Sequence, residues 1–122
     1  MTFFGYTNEQ WLQAQEQARE ALAQTARNKT TITYSDLCNH ITALQIGPHD
    51  YALPHLLGAV SRKERSAGRG LLTIVVVYKN GEFEPGPGFY KLAEELGYDC
   101  SERLKFWSDH LKFVYDVWSD PR

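Results

Sequence analysis

Residues 71–84 read Leu71-Leu72-Thr73-Ile74-Val75-Val76-Val77-Tyr78-Lys79-Asn80-Gly81-Glu82-Phe83-Glu84, and this stretch decides the fold expected for the chain. Its first eight residues are mostly β-branched or aliphatic, which is typical of a strand buried on both faces. The dipeptide Asn80-Gly81 follows, and it is a strong signal for a tight hairpin turn. Phe83 is the apolar residue of a short return strand. The stretch therefore predicts one β-hairpin over residues 71–84.

Helical periodicity lies on both sides of this hairpin. Thr7 with Gln10, and Thr33 with Asp36, have the three-residue spacing of side chains that cap helix N-termini. Apolar residues then recur every three or four positions, as on the buried face of a helix. The predicted helices cover residues 8–26, 33–44, 53–65, 88–97 and 101–118.

The order of these elements predicts one small α+β domain over residues 1–122, mostly helical with a single β-hairpin. A length of 122 residues suits one domain, and 43% hydrophobic residues are enough for a core. The architecture is winged-helix-like. Residues 33–84 supply a helix-turn-helix pair and a hairpin wing, with 53–65 as the recognition helix. Residues 8–26 form an N-terminal helix, and residues 88–118 form the C-terminal helices.

Charge is unevenly distributed, although the formal net charge is only −2. Residues 1–81 carry eight basic and six acidic side chains, whereas residues 82–122 carry five and nine. The densest basic cluster ends the predicted recognition helix, where phosphate contacts are expected. A low net charge excludes a general nucleic-acid coat protein, so any such contact must be local. The predicted nucleic-acid-binding residues are Arg62, Lys63, Arg65, Arg69, Tyr34 and Lys79.

Catalytic and metal-binding motifs are not evident in the sequence. The four histidines lack the spacing of metal ligands, and the glycines form no phosphate-binding motif. Cys38 lies on the apolar stripe of its helix, which disfavours the reactive thiolate, and Cys100 has acidic neighbours. We therefore expect no cofactor, no metal site and binding rather than catalysis. Two isolated cysteines and the lack of a long apolar segment predict a cytoplasmic location without a membrane span.

The order of motifs over residues 32–97 resembles the DNA-binding domain of the O6-alkylguanine-DNA alkyltransferase and alkyltransferase-like family. Thr33-Tyr34-Ser35-Asp36 is similar to that family's Thr-Tyr-Gly-Glu-type helix start, and Leu57-Gly58-Ala59-Val60 loosely resembles its Ala-Val-Gly-type helix. The family's active-site Pro-Cys-His-Arg motif is missing, and Thr73-Ile74-Val75-Val76 stand in its place. The resemblance therefore implies binding of alkylated DNA without repair, with Arg62 nearest in position to the family's nucleotide-flipping arginine.

Three functions follow from the sequence, and nucleic-acid binding without catalysis leads. The alternative is a protein-interaction or regulatory module, in which an aromatic C-terminal helix supports a homodimer or a protein partner. The third is a metal-dependent hydrolase that uses Glu82 and Glu84. The aromatic residues of the C-terminal helix are Phe106, Trp107, Phe113, Tyr115 and Trp118.

Overall fold

Helices form most of the molecule, as seen in a computed structural model that describes residues 2–78 and 85–119. The mostly helical α+β class predicted from the sequence is confirmed. Within the described ranges the helices are α1 (Asn8–Arg27), α2 (Tyr34–His40), α3 (Ala52–Ser66), a 3-10 helix (Leu72–Val75), α4 (Pro87–Glu95) and α5 (Arg103–Ser119).

Two pairs of very short strands accompany the helices. Strands β1 (Thr2–Phe3) and β2 (Tyr6–Thr7) are antiparallel and lead into α1. Strands β3 (Ile32–Thr33) and β4 (Val76–Val77) are parallel, with Ile32 opposite Val76 and Thr33 opposite Val77. The second pair ties the start of α2 to the segment that follows α3.

Helix α1 is the centre of the fold, and it contacts α2, α3, α5 and the 3-10 helix. Its predicted N-terminal cap is confirmed. The Gln10 amide donates to Thr7 Oγ1 at 3.2 Å, and the Thr7 amide donates to Gln10 Oε1 at 2.8 Å. The Tyr6 ring packs edge-on against Trp11, with ring centroids 6.4 Å apart. Local sequence thus fixes the start of this helix.

The predicted continuous strand over residues 71–78 is wrong for its first half. Leu72–Val75 form a 3-10 helix, closed by a bond from the Ile74 amide to the Leu71 carbonyl at 3.0 Å. All four residues of this turn are buried. Their aliphatic character reflects burial among helices, where local bonds satisfy the backbone instead of a neighbouring strand. The turn at Asn80-Gly81 and the return strand through Phe83 lie outside the described residues.

Helix α2 is shorter than the predicted 33–44 segment and ends at His40. The predicted cap holds, because Thr33 Oγ1 accepts from the Asp36 amide at 3.2 Å. Beyond His40, the Gln17 side chain of α1 accepts from the amides of Thr42 and Ala43, each at 3.0 Å. A side chain distant in sequence thus satisfies the amides that a longer helix would have bonded.

The buried face of α5 differs from the predicted stripe. Leu104 and Phe113 follow the apolar spacing of this helix, but they are 63% and 45% exposed, whereas His110 is only 9% exposed. His110 has charged neighbours in the sequence. Its Nε2 instead accepts a 2.9 Å hydrogen bond from the Leu71 amide, which brings this polar side chain inside.

Protonation of His110 should destabilise the fold below neutral pH. Burial lowers the pKa of His110 to about 4 from its ordinary value of 6.5. The unfolded chain therefore binds more protons than the folded chain between these values, so stability falls as the pH falls. We expect a loss of about 2 kcal/mol between pH 7 and about pH 5. Urea unfolding at the two pH values measures it.

The variant His110→Gln provides the matched control, because its amide oxygen can accept the same bond without titrating. The aspartates and glutamates contribute equally to the pH dependence of both proteins. The difference between the two slopes of unfolding free energy against pH therefore isolates His110. Equal slopes for the two proteins would contradict the assignment.

Candidate ligand-binding cavity

A cavity of about 760 Å³, partly open to solvent, lies between the N-terminal end of α2, one face of α3 and one face of α4. Leucine, proline and phenylalanine side chains line much of it. Polar and charged side chains from three helices also reach it. The apolar lining is Pro48, Leu53, Pro54, Leu57, Pro87, Phe89 and Leu92, the polar lining is Tyr34, Ser35, His49, His55, Arg62, Thr73, Tyr78, Lys91 and Glu95, and the glycines are Gly58, Gly86 and Gly88.

Two tyrosines form one wall of the cavity. The Tyr34 and Tyr78 rings are tilted against each other, with centroids 5.6 Å apart. The Gly86 amide donates to the Tyr34 hydroxyl oxygen at 2.9 Å. A Cβ at position 86 would lie 2.8 Å from the Tyr78 hydroxyl and 3.3 Å from the Tyr34 hydroxyl. The absence of a side chain at Gly86 therefore allows both hydroxyls to approach the start of α4.

Arg62 also lines the cavity. Its guanidinium folds back along α3 toward Gly58. A Cβ placed on Gly58 would lie 3.1 Å from Arg62 Nη1. Its Nη2 lies 3.7 Å from Glu95 Oε2, and both side chains are more than half exposed (55% and 54%). Lys91, on α4, also lines the cavity, and it forms no ion pair with any described residue. The described charged groups here are thus two cations and one carboxylate.

Of the other predicted binding residues, those that the structure describes do not line this cavity. Lys63 donates to Gln15 Oε1 on α1 at 2.7 Å. Arg65 donates to the Leu96 carbonyl at 2.9 Å, and its guanidinium lies 5.6 Å from the Tyr98 ring centroid. Successive helix residues point about 100° apart, so neighbours in sequence face different elements. Lys79 lies outside the described residues. Of the six predicted residues, Arg62 and Tyr34 meet at the cavity.

Arg69 belongs to a separate cluster around a buried carboxylate. Glu64 is 1% exposed, and its two oxygens accept from Arg69 Nε and, at 2.8 Å, from Arg19 Nε. The carboxylate interaction raises the pKa of Arg69. The Arg19 and Arg69 guanidiniums also lie 5.6 Å and 5.5 Å from the Trp118 ring centroid. This cluster holds the end of α5 against α1, so Arg69 has a structural partner.

Neither cysteine has the environment of a nucleophile. Burial raises the pKa of Cys38, and burial also raises the pKa of Cys100, so both thiols stay protonated at neutral pH. Both are free thiols. Across residues 2–78 and 85–119, no group of three His, Cys, Asp or Glu side chains is arranged to hold a metal ion. Glu82 and Glu84, the metal ligands of the hydrolase hypothesis, lie outside these ranges.

Most of the aromatic C-terminal helix is used within the chain. Phe106, Trp107, Tyr115 and Trp118 pack against the core. Trp107 Nε1 donates to the Ile74 carbonyl at 3.3 Å, and the Tyr115 hydroxyl donates to the Thr30 carbonyl at 2.7 Å. Phe113 alone among the five predicted aromatic residues belongs to the large exposed hydrophobic side chains. The apolar surface that α5 offers a partner is therefore smaller than the sequence predicts.

Sequence reasoning missed Tyr78, Lys91 and Gly86 as parts of a site. Tyr78 was assigned to a strand, and the glycines were found to form no phosphate-binding motif. Gly86 comes directly before α4, which begins at Pro87. The available signal was the glycine beside two prolines, because a close approach of other side chains requires a residue without a Cβ.

Comparison with known proteins provides no relative for this chain. No family model, curated protein or solved structure matches it. The described helices include none that is both long and apolar enough to cross a bilayer. The resemblance to the alkyltransferase-like family therefore stays a prediction, and the function must be inferred from the cavity itself.

Proposed function

We propose that this chain is a non-catalytic nucleic-acid-binding protein that contacts its ligand at the cavity rim. One observation carries the proposal. Arg62 and Tyr34, which are distant in sequence, line one cavity together with Lys91 and Tyr78. Cations beside aromatic rings suit a ligand that combines phosphates with bases.

Among the three arginines of the basic cluster, Arg62 has the weakest interactions within the chain, so its charge is the most available to a ligand. Its contact with Glu95 is 3.7 Å long and exposed, and such a pair contributes about 0–1 kcal/mol. A phosphate can therefore replace Glu95 at small cost. Arg69, by contrast, is held by the buried Glu64, and Arg65 is bonded to a backbone carbonyl. This difference supports the rim of the cavity, rather than the whole cluster, as the contact surface.

The tyrosine wall favours an unpaired nucleotide over an intact duplex. Tyr78 is 45% exposed, so one of its surfaces is accessible to a stacking base. Stacking of a base on an aromatic side chain contributes about 1–3 kcal/mol and does not depend strongly on sequence. Single-stranded or unpaired segments are thus the expected ligands.

The winged-helix-like architecture and the cytoplasmic location belong to the same proposal. Helices α2 and α3 would form the helix-turn-helix pair, and the cavity would lie beside the recognition helix. The missing Pro-Cys-His-Arg motif argues against alkyl transfer, so the resemblance to the alkyltransferase-like family extends to binding alone. Two free thiols are compatible with a reducing compartment.

Binding to a short fluorescent single strand should be weak and salt-dependent. Phosphate contacts by Arg62 and Lys91 would release about 0.7 counterion each, so raising the salt from about 50 to about 200 mM should weaken binding roughly sevenfold. Fluorescence anisotropy measures this, with a duplex of the same sequence for comparison. No binding at the lower salt would overturn the proposal and leave the exposed Leu104 and Phe113 as the next surface to test.

Two charge reversals on α3 separate the rim from the cluster. Arg62→Glu should abolish binding, whereas Lys63→Glu, which alters the neighbouring position facing α1, should retain most of it. Circular dichroism of both variants is the control for folding. An equal loss in the two variants would show that general charge, and not the rim, attracts the nucleic acid.

A further inference from the structure

We propose that the same cavity binds a free small aromatic anion, namely a planar ring that carries a phosphate or a carboxylate. This inference stands even if the chain binds no nucleic acid, because it requires a single ligand of cavity size and no contacts beyond it. The inference depends on the volume, the apolar floor and the balance of charge at the rim.

The volume suits a small molecule. Sites for small ligands typically enclose about 300–1,000 Å³, and this cavity encloses about 760 Å³. Helix α3 contributes Leu53 and Leu57, and α4 contributes Phe89; these side chains are 2%, 9% and 7% exposed. Because their surfaces toward the cavity are apolar, an aromatic ring would be stabilised there by burial. The tilted Tyr34 and Tyr78 rings line the same cavity.

The polar groups select an anion. Arg62 and Lys91 are both cationic, and Glu95 is the one carboxylate among the described lining residues. The Tyr34 hydroxyl oxygen accepts from the Gly86 amide, and burial raises the pKa of Tyr34, so the hydroxyl keeps its proton as a donor. Thr73, by contrast, is occupied by a 2.6 Å hydrogen bond with Ser61. The two cations therefore carry more charge than Glu95 can neutralise, and the Tyr34 hydroxyl adds a hydrogen-bond donor for an anion.

The apolar side chains recognise the ring and the cations recognise the negative charge, so we expect tight binding only of a ligand that has both. An anion without a ring would leave the apolar floor empty, and a ring without charge would leave Arg62 paired with Glu95. A ligand that joins the two gains both contributions in one binding event. We therefore expect discrimination against each half of the ligand.

The test is a titration of the ¹⁵N-labelled full chain, followed by NMR, with phenyl phosphate and benzoate as probes. Inorganic phosphate and phenol represent the two halves. We expect saturable shifts of the Gly86 and Gly88 amides with at least one probe, and at least tenfold weaker binding of phosphate and phenol. Arg62→Ala should raise the Kd of that probe about tenfold, whereas Lys63→Ala should leave it unchanged.

Three results would overturn the inference. They are no saturable shift with either probe, equal binding of inorganic phosphate, and equal weakening by Arg62→Ala and Lys63→Ala. Lys91→Ala provides a second variant at the rim if Arg62→Ala does not fold. Failure of this inference is distinct from failure of nucleic-acid binding, because anisotropy on the same preparations reports the latter independently.

Discussion

Replacement of Gly70 by alanine is expected to destabilise the fold by about 3 kcal/mol. Gly70 has a φ of +81°, a region that costs an L-residue about 1–2 kcal/mol. In addition, an alanine Cβ would lie 2.9 Å from Phe113 Cε2 and 3.1 Å from His110 Nε2. Both neighbours are rigid rings, and His110 is fixed by its bond to Leu71. Forced repacking of such a contact costs about 1–3 kcal/mol.

Gly68→Ala separates the two contributions. Gly68 has nearly the same φ, +80°, but a Cβ there would have no atom within 4 Å. The loss of stability in Gly68→Ala should therefore reflect backbone strain alone, about 1 kcal/mol. Urea unfolding of both variants gives the difference. If the two variants lose equal stability, the close packing of Gly70 against α5 is contradicted.

The parts of the fold that the sequence predicts well are those with local causes. The start of α1 follows from Thr7 and Gln10, which bond to each other across one turn. The start of α2 follows in the same way from Thr33 and Asp36. Each cap needs only residues three positions apart, so spacing in the sequence is sufficient to find it.

Long-range contacts explain where sequence reasoning fails. The end of α2 depends on Gln17, and the burial of His110 depends on the Leu71 amide, 39 positions away. Likewise, the aliphatic segment 72–75 is compatible with either a strand or a buried turn. The packing of α1, α3 and α5 against this segment decides in favour of the turn. Periodicity within a segment contains no information about such partners.

The candidate site was only partly predictable for a similar reason. Composition alone finds basic residues at 62–69, but the geometry of α3 and of the segment that follows it directs them to different elements. Arg62 faces the cavity, Lys63 contacts Gln15, and Arg69 bonds to Glu64. The Tyr34–Gly86 bond joins positions 52 apart, so only the folded chain brings that wall together.

Glu64→Gln should destabilise the fold by about 3 kcal/mol, since it removes the buried charge that pairs with both Arg19 and Arg69. Breaking a buried ion pair by neutralising one partner costs about 3–5 kcal/mol. The lower end is expected here, because the arginine side chains are 36% and 38% exposed and can regain water. The Arg19 and Arg69 guanidiniums would also lie beside the Trp118 ring without the buried carboxylate that both contact, which should loosen the end of α5.

The matched control is Glu16→Gln, which neutralises an exposed partner of the same arginine. Glu16 Oε1 lies 3.3 Å from Arg19 Nη1, but its side chain is 60% exposed, so its loss should change stability by less than about 1 kcal/mol. Urea unfolding at about 50 mM and about 1 M salt compares the two pairs. The Glu64 contribution should persist at high salt, because a buried pair is screened far less than a surface pair. A loss for Glu64→Gln that disappears at high salt, or one no larger than that for Glu16→Gln, would contradict a buried carboxylate that fastens α5 to α1 and α3.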